Sequence, residues 1–145
     1  LSMTIAGGLF GGLLIHRFGI ASMLIAGSIL APLTNLFFLV LNNAGKDLSF
    51  LILTITADNF TQGFVVVVVI SLLSSVVSKT YTATQYAGLF LLGTLPSRLI
   101  SSSSGFIVDS YGFGEFFIVC ALSGIPAIIF TIILVNTSFK LSLKD

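Results

Sequence analysis

Apolar runs of about 20 residues, separated by short polar breaks, follow one another along almost the whole chain. A helix needs about 20 mostly apolar residues, rising about 1.5 Å each, to cross about 30 Å of hydrocarbon. Of the 145 residues, 56% are hydrophobic and 8% are charged, against about 25% charged in soluble domains, and the mean hydropathy is +1.16. The pattern therefore predicts an all-α polytopic membrane protein and excludes a soluble globular domain.

The polar breaks divide the chain into five predicted transmembrane helices that form one bundle. They cover residues 1–15, 18–41, 48–77, 83–108 and 115–135, and the breaks between them read HR, NNAGKD, SKTYT and DSYGFG. The run FVVVVVI is predicted to be helical as well, because a strand of a membrane barrel alternates apolar and polar residues and this run does not.

The basic residues predict the orientation, because Lys and Arg in short loops are retained on the cytoplasmic side of a membrane. Those on one side of the predicted bundle are Arg17, Lys79, Lys140 and Lys144, whereas Lys46 falls on the other. The C-terminus is therefore expected in the cytoplasm. The chain begins inside the first apolar run, which indicates a fragment of a longer protein or a truncated product.

Several classes of function lack support in the residues. Six basic and five acidic side chains leave a net charge of +1, so no basic patch predicts nucleic-acid binding. Cys120 is the single cysteine, and the sequence has no cluster of metal ligands and no phosphate-binding glycine loop. No nucleophile has a base nearby along the chain. We therefore expect no metal, no cofactor and no enzymatic activity.

Glycines dominate one stretch of the first predicted helix. Gly7, Gly8, Gly11 and Gly12 form two overlapping GxxxG spacings, which allow the backbones of two membrane helices to approach closely. The alternative is that membrane helices are simply rich in glycine. The coincidence of both spacings favours a packing role.

A polar stripe interrupts the third predicted helix. Gln62 follows Asp58 by four residues and Asn59 by three, so these polar side chains are expected on one face of the helix. Arg98 is the other charge well inside a predicted span. Asp58 and Arg98 each lie about 15 Å from the outer end of their helix, and these helices run antiparallel, so the two charges are expected at similar depth.

Two interpretations of these charges remain open. In the first, Asp58 and Arg98 line a water-filled pathway, where the carboxylate takes up a proton and the guanidinium holds an anionic group. In the second, they form a structural ion pair that orients two helices. The first is favoured because charges inside membrane spans usually mark a pathway. The second and fifth helices carry no interior charge, which suggests a lipid-facing periphery.

Three stretches resemble known transporters. GGLLIHRFG resembles the loop signature of the major facilitator superfamily, with Gly12, His16 at the usually acidic position, Arg17 and Gly19 as its members. SKTYTATQYAGLFLLGTLPSR is similar to a segment of the AmpG-type muropeptide permeases. DNFTQGF and GFIVDSYGFGEFFIVCALSGIPAII resemble further parts of the same family, so that the resemblance covers nearly the whole chain.

The resemblance implies the C-terminal transmembrane bundle, helices eight to twelve of twelve, of a bacterial inner-membrane symporter. Such permeases import N-acetylglucosaminyl-anhydro-muramyl peptides together with protons. It implies as partners the solute, protons, the bilayer and the N-terminal helices of the same transporter, with Asp58, Asn59, Gln62 and Arg98 on the pathway. The alternatives are a major facilitator paralogue for another solute and a non-transporting remnant or membrane scaffold.

Overall fold

The computed structural model describes residues 1–44, 47–77, 82–102 and 104–142. Within these ranges the secondary structure consists of four helices. They are α1, Ser2–Ala44; α2, Leu48–Val76; α3, Thr82–Ser102; and α4, Ser104–Ser142. The predicted all-α class is confirmed.

Helices α1 and α4 each contain a backbone break at a glycine. Gly19 has φ 81° and ψ 161°, and Gly112 has φ 85° and ψ 170°. A Cβ disfavours positive φ, so glycine suits both positions. Gly19 lies two residues after the predicted HR break, and Gly112 lies within the predicted break DSYGFG. Residues 2–18 and 20–44 are called the first and second parts of α1, and residues 113–142 the second part of α4.

The chain reverses direction at the break in α1. The hydroxyl of Thr4 donates a hydrogen bond of 3.3 Å to Oδ1 of Asn59 on α2. Thr34 lines two clefts together with Thr61, which lies within one turn of Asn59 on the same helix. A straight helix would separate Thr4 from Thr34 by about 45 Å. The two parts of α1 therefore fold back on each other at Gly19 and both pack on α2.

The second part of α4 completes the packed region. The rings of Phe38 and Phe117 stack with their centroids 5.3 Å apart. Further along, Gly124 lies against Pro32, where an added Cβ would overlap the proline ring. Because later residues of α4 meet earlier residues of α1, the two segments run antiparallel. Helix α3, by contrast, contacts α2 and α4 only sparsely.

Three helices in the described ranges are long and apolar enough to cross a membrane: Ser2–Asn42, Leu48–Val76 and Ser104–Thr137. Helix α3 does not meet this criterion, because hydroxyl residues, Gln85 and Arg98 interrupt its apolar sequence. The protein is therefore an integral membrane protein, as expected. The described ranges contain four helices and three candidate spans where five separate spans were predicted, so the number five stays a prediction.

Few large apolar side chains are enclosed. Phe64 and Val68 of α2 are 2% and 1% exposed, whereas most of the large apolar side chains on the described helices are exposed. Lipid tails are as apolar as leucine, so burial of such side chains does not drive membrane helices together. Close packing of small residues must hold these helices instead.

Candidate functional site: a polar cleft between α1 and α2

Glycines bring the first part of α1 and α2 into backbone contact. A Cβ added at Gly7 would overlap the carbonyl oxygen of Phe60, and one added at Gly63 would overlap the carbonyl oxygen of Thr4. Any larger residue at either glycine would push the helices apart. The sequence reasoning singled out Gly7 but missed Gly63, whose partner surface lies nearly 60 residues away along the chain.

The other three predicted glycines differ from one another. An added Cβ at Gly8 would lie 3.2 Å from the Val67 side chain, and one at Gly11 would lie 3.1 Å from the Phe64 ring. Gly12 is exposed and has no such neighbour within 4 Å. Gly7, Gly8 and Gly11 thus face α2, and Gly12 does not.

The polar residues of α2 point to two different neighbours. Asn59 accepts the hydrogen bond from Thr4 and donates from Nδ2 to the carbonyl oxygen of Ile55 at 2.8 Å. Half-buried Asp58 accepts a hydrogen bond of 3.0 Å at Oδ2 from Nε2 of Gln62. Asn59 therefore joins α2 to the first part of α1, while Asp58 and Gln62 face the second part.

Asp58 and Gln62 line a cleft of about 300 Å³ between α2 and the second part of α1. We call it the polar cleft, because five of its eight lining residues carry polar side chains. Its residues are Ala31, Thr34, Asn35, Asp58, Thr61, Gln62, Val65 and Val66.

Within the described ranges, several hydrogen-bonding groups of the polar cleft have no protein partner. Thr34 is 5% exposed and donates to the carbonyl oxygen of Ala31 at 2.9 Å. Thr61 is also 5% exposed, yet within the described ranges neither its hydroxyl nor the Asn35 amide has a hydrogen-bond partner. Asp58 uses one of its two oxygens. These groups can bind water or a polar ligand.

The second predicted helix, expected at a lipid-facing periphery, exposes Leu33, Leu36 and Phe37 but also contributes to the polar cleft. The second part of α1 lies between α2 and the second part of α4 and supplies Thr34 and Asn35 to the polar cleft. The available signal was the amide of Asn35 inside an apolar run, because an uncharged polar residue at that depth also needs a partner.

Arg98 lies apart from this cleft. Its side chain is exposed on α3, and among the described residues it forms no ion pair with Asp58. The predicted pairing is therefore absent from this structure. The sequence predicted that the two charges lie at the same depth in the membrane. It did not predict whether their helices are neighbours.

The residues of the loop signature lie near the reversal of α1. His16 and Arg17 are exposed, and the Arg17 guanidinium carbon lies 5.3 Å from the ring centroid of Phe18. The side chains of the lysines used to predict orientation, namely Lys46, Lys79, Lys140 and Lys144, lie outside the described residues. No group of three or more potential metal ligands occurs in the described part of the chain.

Curated proteins resemble this chain over most of its length. AmpG 4 of Rickettsia conorii, named as a transporter, is 29% identical over 137 residues, which are 94% of this chain and 33% of that protein. AmpG 3 of Rickettsia prowazekii is 32% identical over 83% of this chain and 28% of its own length. The anhydromuropeptide permease of Escherichia coli is 25% identical over 92% of this chain and 27% of its own length.

The chain is related to the AmpG transporters. It spans about a third or less of the length of these AmpG relatives, between 27% and 33%. All three are named as transporters or permeases, which agrees with the expectation that the chain is not an enzyme. No family model and no solved structure matches the chain.

Proposed function

We propose that the chain is the C-terminal part of a major facilitator transporter that imports anhydro-muropeptides with protons across the bacterial inner membrane. The observation that carries this proposal is the match to the anhydromuropeptide permease of Escherichia coli over 92% of the chain. An open polar cleft with a half-buried carboxylate between apolar helices supports it, because such groups usually mark a solute or proton pathway.

In this proposal the chain crosses the membrane five times. The first and second parts of α1 extend about 26 Å and about 38 Å, which suffices for one crossing each if the bilayer thins locally around the shorter first part. Helix α2 is the third span. Helix α3 with the start of α4 is the fourth, and the second part of α4 is the fifth. The C-terminus and the reversal near Arg17 then lie in the cytoplasm.

Asp58, Asn59, Gln62 and Arg98 line the pathway in this proposal. The unused oxygen of Asp58 is available for a proton, and protonation lowers the cost of enclosing the carboxylate when the pathway closes. Asn59 holds α2 against the first part of α1. Arg98 supplies the positive charge for an anionic group of the solute. The remaining two thirds of the relatives' length would supply the N-terminal helices that move against this part.

The test is uptake of labelled anhydro-muropeptide by vesicles that contain the full-length gene product. We expect uptake by the wild type to require an imposed proton gradient. Asp58→Asn and Arg98→Ala should each reduce uptake by about tenfold or more, because a charged hydrogen bond contributes about 1.5–3 kcal/mol. Lys46→Ala, in a predicted loop, should transport normally. Normal uptake by both pathway variants would leave only a structural role for these charges.

A paralogue for another solute is the second candidate, because the names of the two Rickettsia relatives state no solute. In that case the wild type would not take up anhydro-muropeptide, while another solute would enter under the same gradient and depend on Asp58. The two candidates therefore differ in cargo and agree on the pathway.

A further inference from the structure

We infer that the polar cleft is a binding subsite for a non-anionic group rich in hydrogen-bond donors, either hydroxyl or ammonium. Thr34 and Asn35, from the second part of α1, form one wall, and Asp58, Thr61 and Gln62 of α2 form the other. The inference rests on the proposed function in one respect: the cleft belongs to a solute pathway. It does not depend on the cargo being a muropeptide.

The hydroxyl of Thr61 gives the first argument. Several helical threonines bond back to a carbonyl of the preceding turn, as Thr54 does to Phe50 at 2.8 Å and Thr137 to Ile133 at 2.8 Å. Thr61 has no such bond, although it is 95% buried. Within the described ranges, no buried side-chain nitrogen or oxygen lacks a partner. The Thr61 oxygen is therefore at least partly accessible, and Thr61 is one of the residues that line the polar cleft.

The opposite wall presents a second unused polar group. The Asn35 side chain has no hydrogen-bond partner in the described part of the chain, so both its donors and its acceptor remain available. An amide is costly to hold in apolar surroundings without partners. Two unpartnered groups that face one cleft from two helices indicate a site that a polar molecule occupies.

The charge of the cleft selects the kind of ligand. Asp58 is the one charged side chain among the described lining residues. Gln62 satisfies Oδ2 of the carboxylate and keeps its own carbonyl oxygen as an acceptor. The cleft therefore offers acceptors and a negative charge without a lysine or arginine to compensate an anion. Hydroxyl and ammonium groups fit this arrangement, and carboxylates or phosphates do not.

The volume limits the size of that group. Ligand pockets in proteins enclose about 300–1,000 Å³, and the polar cleft holds about 300 Å³. It accommodates one ring or one small branch of a solute. The rest of a larger cargo would lie outside these two walls, so the cleft is a subsite of the pathway.

The test uses charged thiol reagents on the full-length gene product with Cys120→Ser. Cysteine replaces Asn35 on one wall or Gln62 on the other, and the control is Asn136→Cys, an exposed asparagine on α4 away from the cleft. Each variant is treated with the ethylammonium and the ethylsulfonate methanethiosulfonate. Relative to the control, both cleft cysteines should react about fivefold faster with the cation than with the anion. Asp58→Asn should remove that preference.

Protection by three sugars of one size then identifies the bound group. Glucosamine and glucose should slow labelling of Asn35→Cys, and glucuronate, which has the same ring and a carboxylate, should not. Stronger protection by glucosamine assigns an ammonium, and equal protection assigns hydroxyls. The inference is overturned if neither cleft cysteine reacts while Asn136→Cys does, if the charge preference is absent, or if glucuronate protects as well as glucose.

The labelling experiment and the uptake experiment test different claims and can fail independently. Charge-selective labelling without muropeptide uptake would reject the proposed cargo and keep the subsite. Muropeptide uptake without charge-selective labelling would keep the cargo and reject the subsite.

Discussion

The α1–α2 pair and helix α3 contain the same kinds of residue but pack very differently. In the pair, Gly7 and Gly63 each lie against a backbone carbonyl of the other helix. On α3, Gly88 and Gly93 have no neighbouring atom within 4 Å of an added Cβ. The presence of glycines on a helix is therefore not sufficient for close packing. The facing helix must present its own small residue at the matching height.

The two regions also differ in how exposed their charged side chains are. Asp58 is half-buried in a cleft whose walls are fixed by two helices, whereas Arg98 is exposed on α3. Substitutions in the α1–α2 pair should therefore change the stability of the packed region. Equivalent substitutions on α3 should change it much less. Melting of the full-length gene product in detergent measures these effects.

The largest effect is expected for Phe64→Ala. The ring is 2% exposed and lies next to the glycines of α1, so its removal leaves a cavity between helices. Loss of a buried phenylalanine costs about 3–5 kcal/mol. Phe90→Ala on α3, where the ring is 43% exposed, should cost less than half as much. The melting temperature is read from size-exclusion profiles of heated samples. Equal decreases in the melting temperature of the two variants would contradict the comparison.

Gly63→Ala comes next. The added methyl group would overlap the Thr4 carbonyl oxygen, and relief of the overlap requires separation of the helices. Overpacking of this kind costs about 1–3 kcal/mol. The matched change Gly88→Ala on α3 meets open space and should stabilise its helix by about 0.5–1 kcal/mol. Opposite signs of the two melting shifts support the comparison, and equal shifts refute it.

A smaller loss is expected for Thr4→Ala, which removes the hydrogen bond between Thr4 and Asn59. One such bond contributes about 0.5–1.5 kcal/mol. Thr4→Ser should restore most of the stability, and Thr84→Ala on α3, where the side chain is exposed, should have little effect. If the serine variant were as unstable as the alanine variant, the methyl group and not the hydroxyl would be the important part of Thr4.

The smallest effect is expected for Gly12→Ala, in the glycine stretch of α1. Gly12→Ala adds a methyl group where no neighbour lies within 4 Å, so the free energy of unfolding should change by less than about 1 kcal/mol. Gly7→Ala, five residues earlier, should destabilise the protein as Gly63→Ala does. Similar losses for the two alanine variants would show that Gly12 also packs against another helix.

The elements were predictable from sequence where local signals existed. The third predicted span, 48–77, matches α2, since its apolar run is preceded by Asp47, which accepts hydrogen bonds from the backbone nitrogens of Ser49 and Phe50. The break in α1 was predictable within a few residues from the HR pair and Gly19. Such signals depend on neighbours along the chain.

The arrangement of the helices was less predictable. Membrane helices are apolar on most faces, so periodicity does not say which face meets which helix. For that reason Gly63, Thr34 and Asn35 were overlooked. Depth calculations placed Asp58 and Arg98 at one level, but two helices at one level need not be neighbours. Lateral position depends on contacts between distant residues, which a single sequence does not display.

The packing of α2 against two antiparallel parts of α1 is what encloses the polar cleft, and paired cysteines test it directly. In the full-length product with Cys120→Ser, one variant carries Thr4→Cys with Asn59→Cys and the other carries Thr34→Cys with Thr61→Cys. Reversal at Gly19 predicts that a short bifunctional thiol reagent cross-links both pairs. A straight α1 would carry residue 34 about 45 Å from residue 4, so cross-linking of the first pair without the second would contradict the account.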